Sequence, residues 1–174
     1  DVNICTVEDP VEIVNDDLNQ MQVNAKLDIT FGNAIRAFLR QDPDIIMVGE
    51  IRDTDAGRMA VQAALTGHLV LSTLHTNDAI SSITRLIDLG IPPHLITASL
   101  RGVLAQRLVR RLCEYCKVKS PTPIEAWKQV IGTQSIEPPS FVFTANGCPE
   151  CKHSGYKGRL CVYEMVIVDR KLKD

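Results

Sequence analysis

Apolar and polar positions follow two alternating periods along the first two thirds of the chain. Residues 2–7 are largely β-branched and apolar and run into Glu8-Asp9-Pro10, where Pro supplies no ladder N–H, so a strand is expected to end there. From Phe31 the period lengthens. Phe31, Ala34, Ile35, Phe38 and Leu39 recur at helical spacing, Thr30 stands at the N-cap, and Asp42-Pro43 closes the segment. Residues 45–48 form an unbroken apolar run, the pattern of a strand covered on both faces. Asp53 or Thr54 then caps a second helix, with Ala56, Met59, Ala60, Ala63 and Ala64 in its stripe and Gly67 beyond its end. Residues 69–74 read as another buried strand. Asn77 or Asp78 opens a third helix expected to turn Ile80, Ile83 and Ile87 inward, with Gly90 behind it. Residues 93 to about 111 read as one longer helix carrying Leu95, Ile96, Leu100, Val103, Leu104 and Leu108.

Strands alternating with helices predict an α/β fold with a parallel sheet and helical crossovers. Near residue 112 the pattern changes to Cys, Pro, Lys and Gly with little periodicity, relieved by a short helix over 124–131 and a strand over 160–168. The expected organisation is therefore an α/β core over 1–112, a cysteine-containing excursion over 113–159, and a return strand with the start of a C-terminal region over 160–174. Composition supports globularity, with 45% apolar and 23% charged residues among 174. A formal net charge of −2 offers no footprint for a nucleic-acid backbone. No apolar run approaches the length of a bilayer span, and no basic-then-apolar export signal opens the chain. It lacks a starting Met and begins in a strand-like stretch, so it reads as a piece of something longer.

Chemistry gathers where strands are expected to end, since open α/β sheets bind ligands at the carboxyl ends of their strands. The first strand delivers Glu8-Asp9, the second delivers Glu50 after Gly49, and the third delivers His75-Thr76-Asn77. The run Asp44-Ile-Ile-Met-Val-Gly-Glu50 resembles a Walker B strand, whose terminal carboxylate orients and deprotonates a water attacking a phosphate while Mg²⁺ neutralises the phosphate oxygens. Gly49 stands where an Asp usually helps hold Mg²⁺, and Glu8 is the nearest replacement by topology. The competing reading makes Glu50 a surface partner of Arg52. His68 and His75 flank one strand and point to opposite faces. His75 is placed to meet a γ-phosphate, although both rings also fit ordinary structural histidines.

Six cysteines include two Cys-x-x-Cys pairs, Cys113/Cys116 and Cys148/Cys151, the spacing of a closed tetrahedral Zn²⁺ site; two metal-free thiol pairs are the alternative. Arg110, Arg111, Lys117, Lys119, Lys152, Lys157 and Arg159 supply a field favouring thiolates, and four sulfurs leave no need for His153. Cys5 and Cys161 read as small buried hydrophobes. Arg101, Arg107, Arg110 and Arg111 lie along the expected long helix, either facing a neighbouring subunit or nucleotide or forming a solvated face.

Four stretches together resemble the secretion ATPase superfamily, most of all the type II secretion and type IV pilus assembly ATPases. They are Glu8–Glu12, Arg40–Asp53, Ala64–Asn77 and Leu100–Leu112, in order and covering nearly the whole chain. The resemblance implies a partial RecA-like parallel sheet, mixed at its edge and flanked by helices, with a small zinc-binding excursion. It implies a hexameric motor that hydrolyses Mg²⁺-ATP on the cytoplasmic side of the inner membrane beside a platform protein. In that family the acidic box falls on Glu8, Asp9 and Glu12, the catalytic Glu on Glu50, and the histidine box on residues 67–77, including His68 and His75 near the phosphates. Four zinc cysteines distinguish assembly motors from retraction motors. No Gly-x-x-x-x-Gly-Lys-[Ser/Thr] occurs in these residues, so the chain alone is expected to be inactive. The alternative function is a non-enzymatic zinc-binding interaction module.

Overall fold

The computed structural model describes residues 2–169. They divide into two compact units, one of residues 2–105 with 164–169 and the other of residues 106–163; the last part of the expected C-terminal region, 170–174, lies outside the described residues.

In the first unit, β1 (Ile4–Glu8), β2 (Asn19–Gln22), β3 (Ile45–Val48) and β4 (Leu69–Ser72) form one sheet in the order β2-β1-β3-β4. Every pairing is parallel, so the sheet has no mixed edge among the described residues. Helices α1 (Phe31–Phe38) and α2 (Thr54–Leu65) provide the crossovers into β3 and β4. Both helices start as their sequences dictate: Thr30 accepts from the Asn33 N–H and Asp53 from the Ala56 N–H. Gly67, at φ +106°, ends α2 in the backbone region that favours glycine. Their apolar stripes meet one face of the sheet, where Cys5, Val7, Ile46 and Val48 pack with Phe31, Ala34, Ile35, Phe38, Ala56, Ala60 and Ala63. The opposite face is less covered. Ile45 and Met47 are half-buried and Leu69 and Leu71 are each 51% exposed, so β3 and β4 are not the doubly covered strands that their unbroken apolar runs predict.

Helix α3 (Ala79–Asp88) is capped by Asp78 and buries Ala79, Ser82 and Leu86. Ile80 and Ile87 are exposed at 65% and 43%, contrary to the sequence expectation; only Ile83 of that trio packs on the small cluster of Leu86, Ile91 and Ile96. Helix α4 (Pro93–Ser99) stops far short of the expected residue 111. Leu100 is extended and β5 (Gly102–Leu112) follows, pairing with β8 (Tyr156–Ile167). Leu100, Val103, Leu104 and Leu108 have helical spacing, but a partner strand some fifty residues later supplies ladder bonds that local period cannot anticipate. Arg107, Arg110 and Arg111 therefore lie on a strand and Arg101 just before it.

In the second unit, β6 (Val118–Pro121) and β7 (Phe141–Thr144) pair antiparallel, and α5 (Ile124–Ile131) lies in their connection. Cys161 on β8 is exposed, not buried, because this stretch of the ribbon leaves its side chains open. The partition falls at 105/106 and 163/164, inside β5 and β8, since both strands contribute residues to each unit.

Candidate functional site

Three adjacent parallel strands bring their carboxyl ends to one edge. β1 ends at Glu8, β3 is followed by Gly49-Glu50, and β4 leads toward His75. Gly49 makes this edge tight. Its N–H donates to Val7 O at 2.8 Å, and a Cβ there would lie 3.1 Å from Val7 O and 3.4 Å from Glu8 Cα. A side chain at this position would require the β1 backbone to give by a few tenths of an ångström.

Glu50 is the centre of a charged cluster. Its Oε1 accepts from Arg52 Nη2 at 2.5 Å and its Oε2 lies 3.3 Å from His75 Nε2. Arg52 Nη1 also reaches Asp9 Oδ2 at 3.1 Å. Glu50 is only 16% exposed while His75 is 88% exposed, so the carboxylate is sheltered and the imidazole faces solvent. The hydrogen bond from Arg52 holds the Glu50 carboxyl below the usual glutamate range, aided by the Arg52 and His75 charges and opposed by burial. Glu50, Ile51, Arg52, His75 and Arg85 line a pocket of about 260 Å³. A sheltered carboxylate beside two cations and an imidazole is suited to orient water next to an anionic group.

The other sequence candidates are distributed around this edge. Glu8 Oε1 accepts from Thr6 Oγ1 at 2.6 Å and Gln20 Nε2 at 3.1 Å. Glu12 is exposed on the connection after Pro10. His68 precedes β4 and so sits at the opposite end from His75; its Nδ1 lies 2.9 Å from Ala63 O and 3.1 Å from Thr66 Oγ1. That is the structural arrangement weighed for it from sequence. Sequence reasoning met Arg52 only as a surface partner of Glu50 and passed over Arg85. Arg52 could have been found from its place two residues past an acid-ended strand, whereas nothing in the α3 pattern marks Arg85.

The second site lies in the unit formed by residues 106–163. The sulfurs of Cys113, Cys116, Cys148 and Cys151 lie within 4.8 Å of one another. Nearest pairs, Cys113–Cys148, Cys116–Cys151 and Cys148–Cys151, are 3.9, 3.9 and 3.8 Å apart. A tetrahedron with Zn–S near ~2.3 Å has edges of about 3.8 Å, so the donor set fits the metal. Amide N–H groups also point at the sulfurs: Gly147 at Cys116 (3.3 Å), and Cys148 and Gly155 at Cys151 (both 3.2 Å). Gly155, at φ +75°, is required there, since a Cβ would come 2.6 Å from Ala145 Cβ. Burial opposes ionisation of Cys151, but hydrogen bonds from the Cys148 and Gly155 amides and from the Cys148 and Cys116 side chains together bring the thiol down to about 6. Burial, together with hydrogen bonding to the other three thiols and against the Gly147 amide, pushes Cys116 up to about 11. Arg110 and Lys157 lie over the Tyr156 and Tyr115 rings, and Lys117 and Lys119 over Phe143 and Phe141.

The sequence model of the family described as type II/IV secretion system protein matches residues 1–174. A type IV pilus assembly ATPase, TfpB of Acinetobacter baylyi, is 56% identical over 99% of this chain and 29% of its own length. The type II secretion system ATPase E of Vibrio cholerae is 51% identical over 99% of this chain and 34% of its own. The chain thus spans about a third of the curated relatives it matches. Among solved structures, the pilus retraction motor PilT with bound ADP is similar at TM-score 0.62 and 31% identity, covering 98% of this chain and 40% of that one. The Legionella pneumophila ATPase DotB shares the fold at TM-score 0.63 and 24% identity, covering 98% of this chain and 38% of its own.

Proposed function

Since this chain belongs to the type II/IV secretion system protein family, we propose that it is part of a hexameric motor ATPase powering pilus assembly or type II secretion. The observation that carries the reading is Glu50, sheltered between Arg52 and His75 on an edge where three parallel strands end. Ionised at neutral pH, Glu50 orients a water and takes its proton as the water oxygen bonds to the γ-phosphorus and ADP departs. His75, with Nε2 3.3 Å from Glu50, donates to a γ-phosphate oxygen and senses its loss. Mg²⁺, when bound, supplies charge neutralisation at the phosphate oxygens. Glu8, Asp9 and Glu12 are the acids of the β1 end and following connection available to its shell, and Glu8 is already held by Thr6 and Gln20.

Cys113, Cys116, Cys148 and Cys151 hold Zn²⁺ as a closed structural site; the metal supplies cross-linking and no reaction step. The four cysteines favour the assembly or secretion direction over retraction. The motor works on the cytoplasmic side, peripheral to the inner membrane, with identical subunits and a platform protein as partners. Among the described residues no helix is long and apolar enough to cross a membrane. The non-enzymatic zinc module remains the competing assignment, and one experiment separates the two. In a longer protein that includes a phosphate-binding loop, ATP turnover is expected and Glu50→Gln is expected to reduce it by about 100-fold or more. Turnover that survives Glu50→Gln sinks the reading.

A further inference from the structure

Arg52 occupies a position that water activation by Glu50 does not by itself explain. One planar guanidinium spans two carboxylates on neighbouring strand ends, Nη2 to Glu50 at 2.5 Å and Nη1 to Asp9 at 3.1 Å. The far oxygen of Glu50 meets His75 at 3.3 Å. A carboxylate held through one oxygen still turns about its last torsion, and one held through both oxygens from different directions has its plane set. Arg52 is in turn steadied by the Phe31 ring, 6.0 Å from the guanidinium carbon, and Phe31 is a core residue only 6% exposed. The chain of contacts therefore runs from the packed start of α1 through Arg52 to Glu50, with Asp9 as the second anchor. A group that addresses water from one side loses rate steeply when its orientation slackens.

We propose that Arg52 is a positioning residue, bridging Glu50 to Asp9 so that the Glu50 carboxylate keeps the orientation needed to address water. The inference rests on Glu50 being the water-activating residue, and its test distinguishes the two. ATP turnover of the longer, loop-containing protein is measured against pH and ATP concentration for Arg52→Gln, Arg52→Lys, Asp9→Asn and Glu50→Gln. Arg52→Gln is expected to lower kcat by about 10-fold or more while KM for ATP stays within about two-fold. Losing the cation raises the Glu50 carboxyl, so the acidic limb of the kcat profile moves to higher pH. Arg52→Lys recovers part of kcat, because a point charge reaches one carboxylate but not both; Asp9→Asn removes a negative charge and leaves Arg52 to Glu50 alone, so it does not move the limb to higher pH. For Arg52→Gln, an unchanged kcat, a lost kcat with an unmoved limb, or an effect on KM alone overturns the proposal. If Arg52→Gln fails to fold by circular dichroism, Arg52→Lys carries the test, since it keeps the cation and cuts the bridge: kcat is expected to fall with KM unchanged, and an undiminished kcat overturns the proposal. Undiminished turnover in Glu50→Gln removes the underlying reading and this inference together, a result distinct from all the others.

Discussion

Glu50 converts its local partners into a pH signature. Arg52 holds its carboxyl below the unfolded value, which for glutamate is near ~4.3. A depressed folded pKa contributes stability above the unfolded pKa that disappears as pH falls through the folded value. Glu50→Gln is therefore expected to melt below the parent chain at pH 7, with the gap closing below about pH 4. Thermal melts across that range check it, and a gap that persists in acid would place the effect elsewhere. Gly49 makes a second residue-scale prediction. With Val7 O 3.1 Å from the position of a Cβ, Gly49→Ala must push β1 aside and is expected to lower stability by about 1–3 kcal/mol, read from the denaturant midpoint. Both residues were recognisable beforehand as a glycine–acid strand end. The sequence offered Arg52 as the competing partner of Glu50, but it could not tell that His75 joins them, because that contact depends on β3 and β4 lying side by side.

Among elements, the best-read ones announce their own ends. Thr30, Asp53 and Asp78 cap α1, α2 and α3 through contacts within three residues, so the sequence named Thr30 and narrowed the other two to Asp53 or Thr54 and Asn77 or Asp78. Asp53→Ala should cost about 1 kcal/mol in urea unfolding. Strand β2 was missed although Met21 and Val23 alternate and pack on the core, since its polar edge residues blur the pattern. β5 was misread because Leu100, Val103, Leu104 and Leu108 satisfy helical spacing, while the ladder that makes them a strand comes from β8. The cysteine knuckles are another element-scale device, joining segments about thirty residues apart. Cys148→Ser or a strong chelator is expected to abolish bound zinc and to raise protease sensitivity within residues 106–163, with the parallel-sheet unit keeping its circular-dichroism signal. Metal content by mass spectrometry and the cleavage map read the two effects separately, and an unchanged cleavage map would deny the metal a structural role.

For the molecule as a whole, ATP turnover is expected to need more than the edge holding Glu50. The 174-residue chain contains no Gly-x-x-x-x-Gly-Lys-[Ser/Thr] run to cradle phosphates, so by itself it should give no measurable ATP turnover, while a longer, loop-containing protein turns over. Phosphate release assayed on both settles this; activity in the short chain would require a different phosphate site. Several caps, the stripes of α1 and α2, the parallel-sheet class and the gathering of the four cysteines could be read directly from residue order, because each rests on neighbours within a turn or on short spacings. Packing had to settle the rest: the helix-to-strand switch at Gly102, the exposure of Ile80, Ile87 and Cys161, and the span of Arg52 from Glu50 to Asp9. Those features arise from strand pairing and side-chain contact between segments far apart along the chain, where local hydrophobic periodicity carries no information.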